Sequence, residues 1–238
     1  MLCKIADLYV EIPDAGGMAP RCREYLTNDA CDPHIVIKEE YYSLERWPGL
    51  AEGLLEYMDS GQIFYSRLLR YNGMMLHASA LELDGGAYLF SGPSGVGKST
   101  HTTLWQKEYP NARLFNDDKP ALRKIDGVWY AYGTPWSGKH GININIKVPL
   151  RGICFLRQGS ENKIRRLSPI EAAAAVMSQT IRGFKRADAL GVMTEILNQL
   201  ITEIPVYELT NKPEPAAAHL SHDVMCGVDL EKINENQK

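Results

Sequence analysis

The chain has no Cys-x-x-Cys pair, no basic excess, no long apolar run, no internal repeat and no low-complexity tract. Each absence argues against a class of function. The five cysteines, Cys3, Cys22, Cys31, Cys154 and Cys226, are scattered and odd in number. That argues against a disulfide framework or a spaced zinc site and fits a reducing compartment. Cys154 lies in the apolar run Gly152–Leu156 and reads as core packing. Lys and Arg total 26 against 29 Asp and Glu, a net charge of −3, so there is no electrostatic footprint for nucleic acid. No apolar run approaches the ~20 residues needed to span a bilayer. The opening Met1–Asp7 lacks the apolar core of a signal peptide. A soluble, cytoplasmic protein with no membrane partner is expected. What is present is ordinary globular material: 238 residues, 45% hydrophobic and 23% charged, enough for one large α/β domain or a domain with a small appendage.

One segment stands apart. Leu89–Thr100 reads Leu-Phe-Ser-Gly-Pro-Ser-Gly-Val-Gly-Lys-Ser-Thr, a strand end followed by Gly-x-x-x-x-Gly-Lys-Ser and a helix start. This is the layout of a phosphate-binding loop. Gly92, Gly95 and Gly97 can take backbone angles that let the chain wrap a phosphate. The N–H groups of Ser94, Val96 and the helix start at Lys98, Ser99 and Thr100 then face the anion. Lys98 reaches the β- and γ-phosphates, and the Ser99 hydroxyl is placed for Mg²⁺. The implied cofactors are ATP and Mg²⁺.

Periodicity divides the rest. Residues 1–72 read as a small α+β region, with strands at Ile5–Ile12 and Ile35–Ile37 and helices at Leu50–Met58 and Ile63–Tyr71, the second ended by Gly73 as a left-handed cap. Residues 73–228 read as the core. Met74–Leu83 runs as a strand into the hairpin turn Asp84-Gly85-Gly86, and Ala87–Ser91 delivers the chain to the phosphate loop. Further elements are a helix from Lys98 to Glu108, a hairpin about Asp126-Gly127, and an alternating strand at Ile142, Ile144 and Ile146. Beyond these come an apolar strand at Gly152–Leu156, helices at Ile170–Gln179, Ala187–Ile201 and Glu214–Met225, and a strand at Val206–Leu209. Residues 229–238 form a polar tail expected to fray. A phosphate loop preceded by a hairpin partner implies a mixed parallel and antiparallel sheet flanked by helices, an α/β fold.

Candidate chemistry clusters around that loop. Asp117 and Asp118 end the short strand Leu114-Phe115 and could divide metal binding and acceptor activation between them, although Asn-Asp-Asp is also ordinary turn chemistry. His77 precedes the hairpin that feeds the loop and is adjacent to it by connectivity. The segment Gly133–His140 imitates a phosphate loop but has His140 where a hydroxyl belongs and is followed by a strand pattern. It reads instead as an acceptor-side loop carrying Trp136, Lys139 and His140. Arg165 and Arg166 read as a solvated face; Arg182, Lys185 and Arg186 read as cations between helices.

With His77, the Gly92–Ser99 loop and Asp117-Asp118 in this order, residues 74–156 resemble the HPr serine kinase/phosphorylase group of the phosphoenolpyruvate carboxykinase-like fold. The resemblance implies that His77 and the aspartates surround the γ-phosphate, one aspartate helping to hold metal and the other acting as base toward a hydroxyl. The family's hexamers imply self-association. Trp129–Trp136 contains no carboxylate where those kinases carry an acidic residue and an Arg-Gly-x-Gly segment, so HPr itself is not the implied acceptor. The chain looks more like small kinase-like relatives, some of which accompany peptide-modification gene sets and phosphorylate a precursor peptide. The expected activity is ATP-dependent transfer of a phosphoryl group to a hydroxyl of a peptide, protein or small molecule. The competing readings are a non-catalytic ATP-binding regulatory module and a nucleotide hydrolase.

Overall fold

The computed structural model describes residues 1–14, 16–43, 45, 48–49, 52–180 and 187–227. The polar tail and the cations Arg182, Lys185 and Arg186 lie outside the described residues.

The chain opens with a hairpin, β1 (Leu2–Ile5) and β2 (Leu8–Glu11), where a single strand over Ile5–Ile12 was expected. Ala6 and Asp7 turn the chain with φ of 51° and 58°. Asp7 is anchored there by Lys147 Nζ and Tyr132 Oη, each donating to its carboxylate at 2.8 Å. β3 (Ile35–Val36) adds parallel to β2 and completes a small three-stranded sheet. The two helices expected between residues 50 and 71 are one, α1 (Glu52–Leu68), prolonged by a 3₁₀ turn at Leu69–Tyr71. Asn72, with φ 52°, makes the left-handed cap assigned to Gly73, and Gly73 instead opens β4 (Gly73–Met75).

The large sheet contains nine strands among the described residues. After β4 come β5 (Ala78–Leu83), β6 (Gly86–Ser91), helix α2 (Lys98–Glu108) and β7 (Arg113–Asn116). β8 (Ala121–Ile125) and β9 (Val128–Tyr132) follow as a hairpin, then β10 (Lys147–Gln158) and β11 (Lys163–Arg166). Helices α3 (Pro169–Ser178) and α4 (Ala187–Glu203), strand β12 (Val206–Asn211) and α5 (Pro215–Met225) complete the order. The sheet runs β4-β8-β9-β10-β6-β5-β7, with β12 beside β10 and β11 beside β12. β10 pairs parallel with β6 and β12 but antiparallel with β9, so the sheet is mixed, as the hairpin before the loop implies.

Two further expectations change. Met74–Leu83 is not one strand: β4 pairs with β8 and β5 pairs with β6 and β7, and the chain breaks pairing between them at Leu76 and His77. The Ile142–Ile146 alternation does not make a strand. It is an irregular segment pinned by one bridge, Asn116 to Asn143, and by Ile144 N–H donating to Phe115 O at 2.9 Å. That segment crosses Gly133 so closely that a Cβ there would stand 1.8 Å from Ile144 O, which only glycine permits.

Three apolar clusters hold the layers. One face of the sheet packs Ile153, Phe155 and Val206 against α3 and α4 through Val176, Met193 and Leu197. The opposite face packs Cys154, Leu156 and Leu209 against α2 and α5 through Trp105, Ala218 and Val224. A third cluster joins β1, β2, β3 and α1 to the main sheet, with Phe64 and Leu68 meeting Ala121, Tyr132 and Trp136. This last cluster ties the first seventy residues to the core through buried apolar contact.

Candidate functional site

The glycine-rich loop leaves β6 at Ser91 and enters α2 at Lys98. Gly92, Gly95 and Gly97 take φ of 141°, 79° and 108°. At Gly97, the residue capping α2, a side chain would strain the backbone that turns the helix amides toward the loop. Ser94 is exposed and Val96 half-buried along the rim. Lys98 folds back over the loop, its Nζ donating to Gly92 O at 2.9 Å and Pro93 O at 3.3 Å. Burial depresses the Lys98 ammonium below its ordinary value, and the Asp118 carboxylate opposes that shift. Ser99 and Thr100 are exposed on the first turn of α2.

Asp117 and Asp118 follow β7. They are placed by Asn116, which is fully buried and accepts the N–H groups of Asp118 (3.1 Å) and Lys119 (2.8 Å) on its side-chain oxygen. The Asn116 amide donates to Thr134 O at 3.0 Å and so ties the turn to the Gly133–His140 loop. Turn chemistry and site construction are here the same thing.

The two carboxylates face different neighbours. Asp117, buried, accepts Gly138 N–H at 2.6 Å and His140 N–H at 3.2 Å. Asp118 meets His77 Nε2 at 3.2 Å, Lys119 Nζ at 2.8 Å and Tyr57 Oη at 2.8 Å. Burial alone would raise the Asp118 carboxyl. The His77 hydrogen bond, the Lys119 charge and the Lys119 and Tyr57 hydrogen bonds outweigh it and hold the group well below the usual carboxylate range. Tyr57 is correspondingly pushed above its ordinary value, by burial first and by Asp118 second.

His77 connects this pair to the glycine-rich loop. It occupies the break between β4 and β5 rather than a strand interior. Its carbonyl accepts Ser91 Oγ at 2.8 Å, immediately before the loop, and its Nδ1 lies 3.1 Å from Gln179 Oε1 at the end of α3. Loop, histidine and acid pair are thus contiguous.

The Gly133–His140 loop divides differently from expectation. Trp136 is fully buried, stacked on Phe64 at 4.7 Å and donating to Ser60 Oγ at 3.0 Å, so its indole fixes the loop from inside the core. Lys139 and His140 are exposed, and the loop reaches Asp117 through backbone amides. Ser137 meets the first seventy residues: Arg21 donates to its Oγ at 2.8 Å and lies 5.1 Å from the Tyr57 ring.

Tyr57, Lys119, Arg21 and Gln179 border the candidate site, and no motif flagged them. For Lys119, the one available signal was its position directly after the acid pair.

The donor set that could hold a metal consists of oxygens: the Ser99 hydroxyl and the Asp117 and Asp118 carboxylates. Among the described residues no group of three or more His, Cys, Asp or Glu would hold a metal unaided. Such a sparse oxygen set fits Mg²⁺, which takes one or two carboxylates and completes its shell with phosphate oxygens and water. No described helix is long and apolar enough to cross a membrane.

Comparison with known proteins gives a family and a distant structural likeness. No curated protein matches the chain. Among solved structures, the HPr(Ser) kinase/phosphatase from Coxiella burnetii aligns at 12% identity and a TM-score of 0.40, over 68% of this chain and 94% of that one. Residues 51–212, from α1 through β12, match the family model described as SynChlorMet cassette protein ScmC, and the chain belongs to the ScmC family.

Proposed function

We propose that this chain binds ATP and Mg²⁺ at the Gly92–Thr100 loop and transfers the γ-phosphoryl group to a hydroxyl of a separate acceptor. The observation that carries the reading is the continuity of loop and acid pair through His77, which accepts Ser91 Oγ on its carbonyl at 2.8 Å and meets Asp118 at 3.2 Å. A loop that only binds nucleotide has no use for a half-buried carboxylate held in place by three donors.

The chain's residues would divide the work as follows. The loop amides and Lys98 neutralise the phosphates, Lys98 leaving Gly92 O and Pro93 O to do so. Ser99 and Asp117 would hold Mg²⁺, which when bound supplies charge neutralisation between the β- and γ-phosphates. Asp118 orients the acceptor. A carboxylate offers about four acceptor positions; His77, Tyr57 and Lys119 take three, leaving one for an incoming hydroxyl. The hydroxyl oxygen bonds to the γ-phosphorus while the bond to the β–γ bridging oxygen breaks, its proton passes to Asp118, and ADP leaves. The low basicity of Asp118 suits a loose transition state in which the proton moves late.

The test uses the purified full chain with γ-labelled ATP, Mg²⁺ and extract of the source cells. Wild type labels an acceptor; Lys98→Ala loses nucleotide binding; Asp118→Asn keeps binding and loses labelling. Phosphate release without a labelled acceptor would replace transfer by hydrolysis, and ATP binding with neither would leave a binding module. Full labelling by both Asp117→Asn and Asp118→Asn would remove the carboxylates from the mechanism.

A further inference from the structure

The loop opens sideways into a cleft of about 680 Å³, lined by Gly92–Val96, by Phe155–Gln158 of β10, by Arg165 and Leu167, by Glu208 of β12, and by one face of α3 with Gln179 at its end. The volume lies within the range of small-molecule sites. Its place follows from topology: β6, β10 and β12 run parallel, so their carboxyl ends gather at one edge, where ligands of open α/β sheets bind.

The strand registers show that the cleft interrupts a core. On the face covered by α3, Ile153 pairs with Val206, both buried and apolar, and Leu167 N–H donates to Val206 O at 2.8 Å. The adjacent row on the same face reads Phe155, Glu208, Arg165. Charge replaces hydrocarbon where the pattern calls for more core. Arg165 donates to Glu208 at 3.0 Å and to Glu171 at 2.9 Å, and Arg157 reaches Glu208 at 3.4 Å. Exposed pairs of this kind contribute about 0–1 kcal/mol each, so stability does not account for them. Across the gap, α3 presents Glu171, Ala174, Ala175 and Ser178, the spacing of one helix face, and the small side chains keep it open.

We infer that this cleft takes the nucleoside half of the bound triphosphate, the base lying between Phe155 and Leu167 on one side and Ala174 and Ala175 on the other, with Glu208 and Glu171 accepting hydrogen bonds from its hydroxyl or amine groups. The inference rests on the reading of Gly92–Thr100 as a triphosphate site. It sets what that site recognises: a nucleoside and not a bare polyphosphate.

Titration of the full chain with ATP and, separately, with inorganic tripolyphosphate in Mg²⁺ tests it. Wild type binds ATP at least about tenfold more tightly than tripolyphosphate. Ala174→Trp, at an exposed position on the cleft face of α3, lowers ATP affinity to that of tripolyphosphate and leaves tripolyphosphate affinity unchanged, which also reports that the variant is folded. Arg157→Ala provides a second variant at an exposed side chain and weakens ATP selectively. Equal wild-type affinities, or an ATP preference that survives both substitutions, would overturn the assignment of the cleft while leaving the loop as a phosphate site. Binding of neither ligand would overturn the loop reading itself.

Discussion

Asp118 is the point where the first seventy residues, the glycine-rich loop and the acid turn meet, so its coupling to Tyr57 is measurable as stability as well as activity. Tyr57→Phe removes one hydroxyl that donates to Asp118 Oδ2 at 2.8 Å and accepts from Lys119 Nζ at 2.6 Å. Hydrogen bonds to charged groups contribute about 1.5–3 kcal/mol. Here Asp118 is 20% exposed and keeps Lys119 at 2.8 Å after the substitution, which puts the coupling at the low end, about 1–2 kcal/mol. For a domain of this size each kcal/mol shifts the melting temperature by about 2–4 °C, so Tyr57→Phe should melt about 2–8 °C lower. Urea unfolding of wild type, Tyr57→Phe, Asp118→Asn and the double variant closes a cycle that isolates the pair. A coupling of about 1–2 kcal/mol at pH 7 is expected, and effects that add within about 0.5 kcal/mol would refute the reasoning. The sign of the pH dependence is also fixed. The folded carboxyl titrates below the unfolded value of about 3.9, so its contribution is complete above that pH and is lost as pH falls toward the folded value. The coupling should therefore hold constant from pH 5 to 8 and shrink in acid.

His101, on α2 just past the glycine-rich loop, is buried with Nε2 3.0 Å from Ser221 Oγ, and burial pushes it down to about 4. The unfolded imidazole titrates near 6.5, so the unfolded chain binds the extra proton between those values; stability should fall by roughly 3 kcal/mol from pH 6.5 to 4, and His101→Gln should flatten that slope in urea titrations. A slope unchanged by the substitution would place the acid-sensitive group elsewhere. Trp136→Ala empties a fully buried site stacked on Phe64 and should cost about 3–5 kcal/mol. Lys139→Ala, exposed on the same loop, should leave the melting temperature within about 1–2 °C; a large shift there would mean that the loop is fixed by its surface and not by the indole.

Where local chemistry decided the structure, the sequence could be read. The hairpins at Asp84-Gly85 and Asp126-Gly127 form with φ of 49° and 75°, and 49° and 80°, because those residues tolerate the left-handed turn that twisted strands require. The Gly92–Lys98 loop follows its strand and opens its helix for the same kind of reason. Where tertiary contacts decided, periodicity misled. Ile144 and Ile146 alternate like a strand, yet they pack on the core from an irregular segment, because Asn143 bonds to Arg21 O at 3.0 Å and Ile144 to Phe115 O at 2.9 Å. The donors around Asp118 illustrate the limit most clearly. Tyr57 comes from a helix in the first seventy residues and Gln179 from the end of α3, and no spacing rule connects either to Asp117-Asp118. Trp136 and the Gly133–His140 loop show the reverse case, an elaborate segment whose largest side chain is structural.

The parallel pairing of β10 has a consequence in time as well as space. β6, which feeds the glycine-rich loop, pairs Leu89 with Ile153, and β10 in turn pairs Cys154 with Tyr207. A chain made from its N-terminus therefore presents the glycine-rich loop on a strand whose inner edge stays open until β10 emerges, and β10 itself waits for β12. Such distant partners fold slowly and leave unpaired backbone available to neighbouring chains. During synthesis the strand that feeds the candidate catalytic centre thus keeps one edge open until β10 is made, and truncation anywhere before Val206 would leave β10, its supporting strand, exposed.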